Sequence, residues 1–276
     1  MENIWIYETH TDGYEVRWRI TDIIHEETTP FQKLAVVETV EWGKALILDG
    51  ALQITEKDEF IYHEMIAHVA MNSHPNPEKV LIIGGGDGGT LREVVKHKCL
   101  KQADMVEIDK RVVEISQQYF PQVAGAISDN RVNLYFADGL VYVRDTAEKY
   151  DLVIVDSSDP VGPAVQLFSR EFYEDLYNIL KEDGMLVVQS ESPVFFTDHF
   201  RNCYFNMEPV FPVVEVYLAT IATYVSGPWS FTAGSKKYNP RKIHNDSPVL
   251  TGLKYYNEDM HQAAFCLPQY VQEIIR

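Results

Sequence analysis

The stretch KVLIIGGGDGGTLRE, residues 79–93, decides the fold. An apolar run leads into a glycine turn and then into the start of a helix, and Gly84, Gly86 and Gly89 match G-x-G-x-x-G. Glycines permit positive φ and let the backbone approach a ligand closely. Glu107 ends the next predicted strand, where a ribose-binding carboxylate lies in such folds. The pattern predicts a nucleoside site; the alternative is a glycine turn that serves only strand–helix packing.

The chain on either side alternates short apolar runs with helical periodicity, which predicts an α/β fold with a doubly wound, parallel, Rossmann-like sheet. The predicted strands are residues 79–83, 103–108, 132–136, 151–155 and 185–189. The predicted helices are residues 90–97, 110–120, 141–145 with a continuation, 170–180 and 194–207. Residues 213–218, 221–225 and 230–233 are predicted as antiparallel strands added to this sheet.

The first 60 residues have a different pattern. Turn signals at Asp12-Gly13, Trp42-Gly43 and Asp49-Gly50 separate β-prone segments at 15–20, 34–40 and 45–48, which predicts a small antiparallel sheet. Apolar residues between 58 and 70 then repeat at helical spacing. We therefore predict an N-terminal β-strand domain over 1–60 and a Rossmann-like catalytic domain over 61–276.

Composition narrows the function. The 276 residues include 24 Lys and Arg against 41 Asp and Glu, a formal charge of −17, which argues against nucleic acid and suits a cationic ligand. Three distant cysteines favour neither a disulfide framework nor a thiolate zinc site. No secretory leader and no membrane-length apolar run is recognised, so a cytoplasmic location without membrane association is expected.

Asp87 stands inside the glycine loop. A carboxylate there repels phosphate and opposes the preference of a helix N-terminus for anions, so a dinucleotide is disfavoured. An adenosine compound with a positive centre, S-adenosylmethionine or a relative, fits better. The alternative is that Asp87 only supplies a helix N-terminal charge or cap.

Two further acidic positions follow predicted strands. Asp138 could accept a hydrogen bond from an adenine amino group at the ligand crevice, or could simply cap the next helix. Asp156 and Asp159 follow the fourth strand in a segment that Pro160 and Pro163 stiffen. Their position at the sheet edge favours a substrate-binding loop over a solvent-facing turn.

Taken together, the sequence resembles the spermidine synthases, the polyamine aminopropyltransferases. The resemblance spans nearly the whole chain, and the matching stretches are LDGALQITEKDEFIYHEM at 48–65, the 84–89 loop, EID at 107–109, DG at 138–139 and DSSDPVGP at 156–163. It implies a methyltransferase-type Rossmann-like fold and transfer of an aminopropyl group from decarboxylated S-adenosylmethionine to putrescine. The expected products are spermidine and 5'-methylthioadenosine.

The resemblance also implies residue roles. Asp156 is expected to accept the proton of the attacking amine, or to orient that amine, with Asp159 beside it. Asp87 is expected to contact the aminopropyl amine. The remaining donor-binding residues are expected to be Gln32, Gln53, His63, Gly84, Gly86, Glu107, Asp138, Gly139 and Pro163. Tyr62, Gln53 and Tyr224 are expected to border the diamine channel, and Trp229 is a weaker match there. The resemblance implies no metal and no resident cofactor. It does imply a homodimer or homotetramer.

Several other functions remain as alternatives. The acceptor could be cadaverine, agmatine or spermidine. A small-molecule methyltransferase would use the same fold, and a non-catalytic polyamine or nucleoside sensor would keep the glycine loop. A zinc site at HEMIAH, residues 63–68, is disfavoured because its two histidines are five residues apart and point to different sides of a helix.

Overall fold

The computed structural model describes residues 4–157, 166–224, 227–244 and 250–276. The N-terminal part of the described chain is a five-stranded antiparallel sheet in which each strand pairs with the next. Its strands are β1 (Ile4–Thr11), β2 (Tyr14–Thr28), β3 (Lys33–Thr39), β4 (Lys44–Leu48) and β5 (Ala51–Thr55).

The second sheet of the described chain has seven strands and forms the centre of the molecule. Its strands are β6 (Lys79–Gly84), β7 (Gln102–Glu107), β8 (Val132–Phe136), β9 (Tyr150–Asp156), β10 (Leu180–Gln189), β11 (Val213–Thr220) and β12 (Pro228–Ser235). The spatial order is β11-β12-β10-β9-β6-β7-β8. The five strands from β10 to β8 run parallel, and β12 and β11 are antiparallel additions at one edge. The predicted α/β class is therefore confirmed.

Helices connect and cover the strands. They are α1 (Glu59–Ser73), α2 (Gly89–Val95), α3 (Lys110–Tyr119), α4 (Pro121–Ala124), α5 (Gly139–Asp145), α6 (Arg170–Ile179), α7 (Thr197–Met207), α8 (Glu258–Ala264) and α9 (Gln269–Ile274). Across the described ranges, no helix has the length and apolar character needed to cross a bilayer.

Alternation along the central strands builds two cores. Val80 and Ile82 face α1 and α2, whereas Leu81 and Ile83 face α6 and the apolar side of α7, because successive strand side chains point to opposite faces. The helix α1 is buried on nearly every side, so it lacks the usual amphipathic stripe. Its first turn lies directly after the N-terminal sheet, beside the edge where the parallel strands end.

Some predicted elements differ from the structure. Residues 221–224 form a turn rather than a strand: the Tyr224 amide donates to the Ile221 carbonyl, and Asp58 holds the Thr223 amide and hydroxyl. The helix α5 ends at Asp145 without continuing, because Thr146 is extended. Strands β1 and β5 and the helices α4, α8 and α9 had no sequence prediction.

Candidate active site

The glycine loop after β6 packs against the end of β9. Gly84 has φ +81°, and a Cβ built on it would lie 2.2 Å from the Asp156 carbonyl oxygen. The Gly85 amide donates to that same oxygen at 2.8 Å. Gly86 is close to the next strand, because a Cβ there would lie 2.9 Å from Glu107 Oε2. The glycines thus serve close backbone packing, and they bring the Asp87, Glu107 and Asp156 segments to one edge of the sheet.

Asp87 is held by its own loop and by α1. Its Oδ1 accepts the Gly89 amide at 2.7 Å and lies 3.3 Å from His63 Nε2. Within the described part of the chain, Oδ2 accepts no hydrogen bond, and about 15% of the side chain is exposed. Burial alone would raise the pKa of Asp87, but the charge of His63 holds it below its usual range. Asp87 can therefore present an ionised oxygen to a cationic group.

His63 is fully buried against the start of α2, where a Cβ on Gly89 would lie 2.2 Å from the imidazole ring. Its Nδ1 lies 2.6 Å from Glu59 Oε2. Burial lowers the pKa of His63, but Asp87 and Glu59 together raise it to about 10.

Asp156, at the end of β9, is surrounded by neutral donors. Tyr62 donates its hydroxyl to Oδ1 at 2.5 Å, and Thr90 donates to Oδ2 at 2.7 Å. Burial raises the pKa of Asp156, and the nearby charge of Asp87 raises it further. This carboxylate is therefore a better proton acceptor than an exposed aspartate.

Aromatic rings pack against one another from Tyr62 onward. The Tyr62 and Tyr224 ring centroids lie 5.8 Å apart, and Tyr224 meets Trp229 edge to face at 4.9 Å. Tyr224 also donates its hydroxyl to the Gln53 carbonyl at 2.5 Å, which joins the end of the N-terminal sheet to this wall. The predicted channel residues are therefore contiguous.

The end of β7 carries a second polar group of residues. Glu107 accepts the Asp109 amide at 2.8 Å, and burial raises the pKa of Glu107 to about 7 although this backbone hydrogen bond opposes the rise. Asp109 in turn accepts hydrogen bonds from Thr29 at 2.7 Å and from the Gln32 side chain at 3.0 Å. The N-terminal sheet thus closes over the predicted nucleoside edge.

Asp138 is exposed and caps α5 by accepting the Leu140 amide at 2.8 Å. Gly139 is required where α5 meets the sheet, because a Cβ there would lie 2.6 Å from Ile83 Cγ2. Capping is therefore a demonstrated role of Asp138, and adenine recognition stays a prediction. Asp159 and Pro163, with Pro160, lie outside the described residues.

The two histidines of the HEMIAH segment face different partners. His63 points to Asp87, whereas His68 lies 2.9 Å from both Glu93 Oε2 and His97 Nε2. No cluster of three or more potential metal-ligating side chains occurs in the described parts of the chain.

Some residues of this region were not identified from the sequence. Glu191 is fully buried with φ +68°, and Gln189 donates to both Glu191 Oε1 and the Ser157 carbonyl at the end of β9. Their place directly after β10 was a usable signal, since parallel strands end at a common ligand edge. Glu59 and Arg92 had no comparable signal.

The sheet order, with acidic side chains gathered at the carboxyl edge of the parallel strands, places the protein in the α/β class. The spermine/spermidine synthase domain model matches residues 59–245, and the spermidine synthase tetramerisation domain model matches residues 4–56. The chain belongs to the spermine/spermidine synthase family and is a polyamine aminopropyltransferase-type transferase.

Relatives and solved structures agree over the full length. The chain is 46% identical to a polyamine aminopropyltransferase of Moorella thermoacetica, over 100% of this chain and 97% of the relative. It is 46% identical to one of Bacillus mycoides, over 99% of both. A spermidine synthase crystallised with the transition-state analogue AdoDATO superposes with a TM-score of 0.93 at 39% identity, covering 100% and 96%. Spermidine synthase from Thermotoga maritima superposes with a TM-score of 0.90 at 38% identity, over 100% of this chain and 95% of that structure.

Proposed function

We propose that this enzyme transfers the aminopropyl group of decarboxylated S-adenosylmethionine to putrescine, giving spermidine and 5'-methylthioadenosine. The observation that carries the proposal is the pair of carboxylates beside the glycine loop. Asp87 is held ionised by His63, and Asp156 is buried among neutral donors. One suits a fixed ammonium group, and the other suits an amine that must lose a proton.

The donor is proposed to lie along the ends of β6, β7 and β8. Asp87 Oδ2 would accept a hydrogen bond from the aminopropyl amine. The nucleoside part is assigned to Gln32, Gln53, Gly84, Gly86, Glu107, Asp138, Gly139 and Pro163, and the buried His63 is proposed to act on the donor through Asp87. Intact S-adenosylmethionine carries a carboxylate beside that amine, and an acidic pocket disfavours it by charge repulsion.

The chemical step is a displacement at the carbon next to the sulfonium. The neutral amine nitrogen forms a bond to that carbon as the carbon–sulfur bond breaks, and the sulfur leaves as the neutral thioether. An alkylamine with a pKa of about 10.4 is neutral in roughly one molecule in 2,500 at pH 7, a cost of about 4.6 kcal/mol. Asp156 is proposed to accept the proton, and Asp159 to assist. The sulfonium is itself the leaving group, so the proposed reaction needs no resident cofactor.

The acceptor is proposed to lie against Tyr62, Tyr224 and Trp229. Their ring faces can hold an ammonium group by cation–π attraction and cover its methylene chain. Asp156 lies beside Tyr62 at one end of these rings and is proposed to receive the attacking amine, while the rings hold the other end of a diamine.

We also propose that the enzyme works as a homo-oligomer through its N-terminal sheet. This sheet matches the spermidine synthase tetramerisation domain model. On β1 and β2, Ile4, Trp5, Tyr7 and Ile23 are between 42% and 54% exposed, and β1 is an edge strand. An apolar edge of this kind favours burial against another copy.

One assay tests the reaction. The purified chain is incubated with decarboxylated S-adenosylmethionine and, separately, putrescine, cadaverine, agmatine or spermidine, and products are identified by mass spectrometry. We expect methylthioadenosine with spermidine, and the highest kcat/KM for putrescine. Methylated product from intact S-adenosylmethionine would support the methyltransferase alternative, and binding without turnover would support a sensor.

A further inference from the structure

A buried series of charged side chains runs behind Asp87, between α1 and α2. Arg92 donates to both carboxylate oxygens of Glu59, each at 2.9 Å, and Glu59 contacts His63 at 2.6 Å. His63 then lies 3.3 Å from Asp87. On its other side, Arg92 donates to Glu93 at 2.7 Å. We call Arg92, Glu59, His63 and Asp87 the donor charge network.

The hydrogen-bonding capacity of His63 determines its protonation state. Nδ1 faces a Glu59 oxygen and Nε2 faces an Asp87 oxygen. A neutral imidazole has one N–H and one acceptor nitrogen, so it can serve only one carboxylate. The imidazolium has two N–H groups, so it can donate to Glu59 and form an ion pair with Asp87, whose Oδ1 lies 3.3 Å from Nε2. With Arg92 positive as well, two cations offset two buried carboxylates.

Arg92 makes the arrangement rigid. Its two-pronged contact sets the plane of the Glu59 carboxylate, and such pairs add geometric specificity to their strength. Glu59 has a side chain only 6% exposed, so water competes little for these bonds. Burial would raise the pKa of Glu59, but His63 and Arg92 lower it to about 2. Neither Glu59 nor Arg92 is assigned a role in the reaction above.

We propose that Glu59 and Arg92 are positioning residues for the aminopropyl donor: they hold His63 doubly protonated and in place, so that Asp87 presents a fixed, ionised oxygen to the donor's amine. The inference rests on the proposed function, because it takes the donor's amine as the partner of Asp87. It implies that the network affects recognition of the amine and leaves recognition of the nucleoside unchanged.

The pH dependence follows from the groups around the imidazole. These come from four elements: Glu59 and Tyr62 of α1, Asp87 of the glycine loop, Asp156 of β9 and, through Glu59, Arg92 of α2. The pKa of His63 is about 10, so its contribution to donor binding is lost as the pH rises through that value. Glu59→Gln removes the negative charge beside His63 and leaves the positive charge of Arg92 uncompensated. The lost attraction and the remaining repulsion each lower the pKa of His63, together by about 1 to 3.

The test compares two ligands by calorimetry: decarboxylated S-adenosylmethionine, which carries the amine, and methylthioadenosine, which lacks it. For Glu59→Gln we expect donor affinity to fall about ten-fold, or ~1.4 kcal/mol, with methylthioadenosine affinity unchanged. The alkaline loss of donor binding should move to lower pH. Arg92→Lys keeps the positive charge but lacks the planar guanidinium that binds both Glu59 oxygens, so we expect donor affinity to fall roughly three-fold. This variant provides the test if Glu59→Gln does not fold.

The matched control is Asp129→Asn, which also removes a carboxylate from an arginine pair. Asp129 binds Arg131 at 2.8 and 2.9 Å just before β8 begins. The pair therefore lies at the amino ends of the parallel strands, whereas the proposed site lies at their carboxyl ends. We expect both ligands to bind it normally. The proposal would be overturned if Glu59→Gln left the donor affinity and its pH profile unchanged. It would also be overturned if the affinities for both ligands fell equally and the unfolding temperature dropped. Wild-type protein that binds neither ligand would overturn the proposed function itself, and this inference with it.

Discussion

Asp87 and Asp156 are the same residue type at two adjoining strand ends, yet their environments have opposite effects. Asp87 faces a charged partner, His63, which keeps its pKa below the usual range. Asp156 faces the neutral hydroxyls of Tyr62 and Thr90, and burial raises its pKa. The charge of Asp87 is itself one cause of the shift at Asp156.

The difference between the two carboxylates teaches how one cleft can handle two amines. A permanently ionised group suits an amine that must stay bound as a cation. A carboxylate with a raised pKa suits an amine that must give up a proton. Pairs of titratable groups whose environments push their pKa values apart are the usual way in which a fold separates such roles.

Asp156→Asn should have the largest effect on turnover. The amide keeps the shape and removes the proton acceptor, so we expect kcat to fall by about 10²- to 10⁴-fold, with methylthioadenosine affinity retained. Rapid-quench measurement of a single turnover checks this. Full activity in this variant would show that Asp156 does not accept the proton.

Gly84→Ala should break the contact between the two carboxylate-bearing segments. It adds strain at φ +81° and a clash with the Asp156 carbonyl at 2.2 Å, for a loss of about 2–4 kcal/mol in unfolding free energy. Gly50→Ala is the control, because Gly50 has φ +87° with no atom within 4 Å of a built Cβ. Denaturant unfolding of both variants measures the loss of unfolding free energy, and the difference between them is due to the clash. Equal losses in the two variants would show that the clash has no effect.

Asp87→Asn should act on the donor alone. We expect the donor KM to rise about 10- to 100-fold, the size of a lost charge-assisted hydrogen bond, with acceptor KM unchanged. Discrimination against intact S-adenosylmethionine should also weaken. Steady-state kinetics with each substrate varied in turn measures this; a rise confined to the acceptor KM would reverse our assignment of the two sides.

Tyr62→Phe should give the smallest effect. The hydroxyl stabilises ionised Asp156, so its removal raises the pKa of Asp156. The acid limb of the kcat/KM profile should therefore move to higher pH, by about one unit. Tyr217→Phe is the control, because that buried hydroxyl donates to the Met65 carbonyl and, across the described ranges, to no carboxylate. An acid limb that stays in place would argue against Asp156 as the titrating group.

Much of the site followed from local patterns. The glycine loop, Asp87 and Asp156 are adjacent to strands that hydrophobic periodicity identifies, and parallel strands end at a common edge. The family resemblance extended this to Tyr62, Gln53 and Tyr224, which the structure brings into one wall.

Long-range pairings had no such signal. Residues 221–224 looked like a strand because they are apolar and β-branched, but Asp58, far away in the chain, holds Thr223 in a turn. Nothing in the local sequence pattern linked Glu59 to Arg92. Only the packing of α1 on α2 joins them.

The sequence by itself determined the alternation of the central parallel strands with helices and the positions of the acidic residues at strand ends, because periodicity and turn chemistry act over a few residues. The tertiary structure alone decided which carboxylate stays ionised and which has a raised pKa. Those properties depend on burial and on charges from separate elements, and neither exists until the chain has folded.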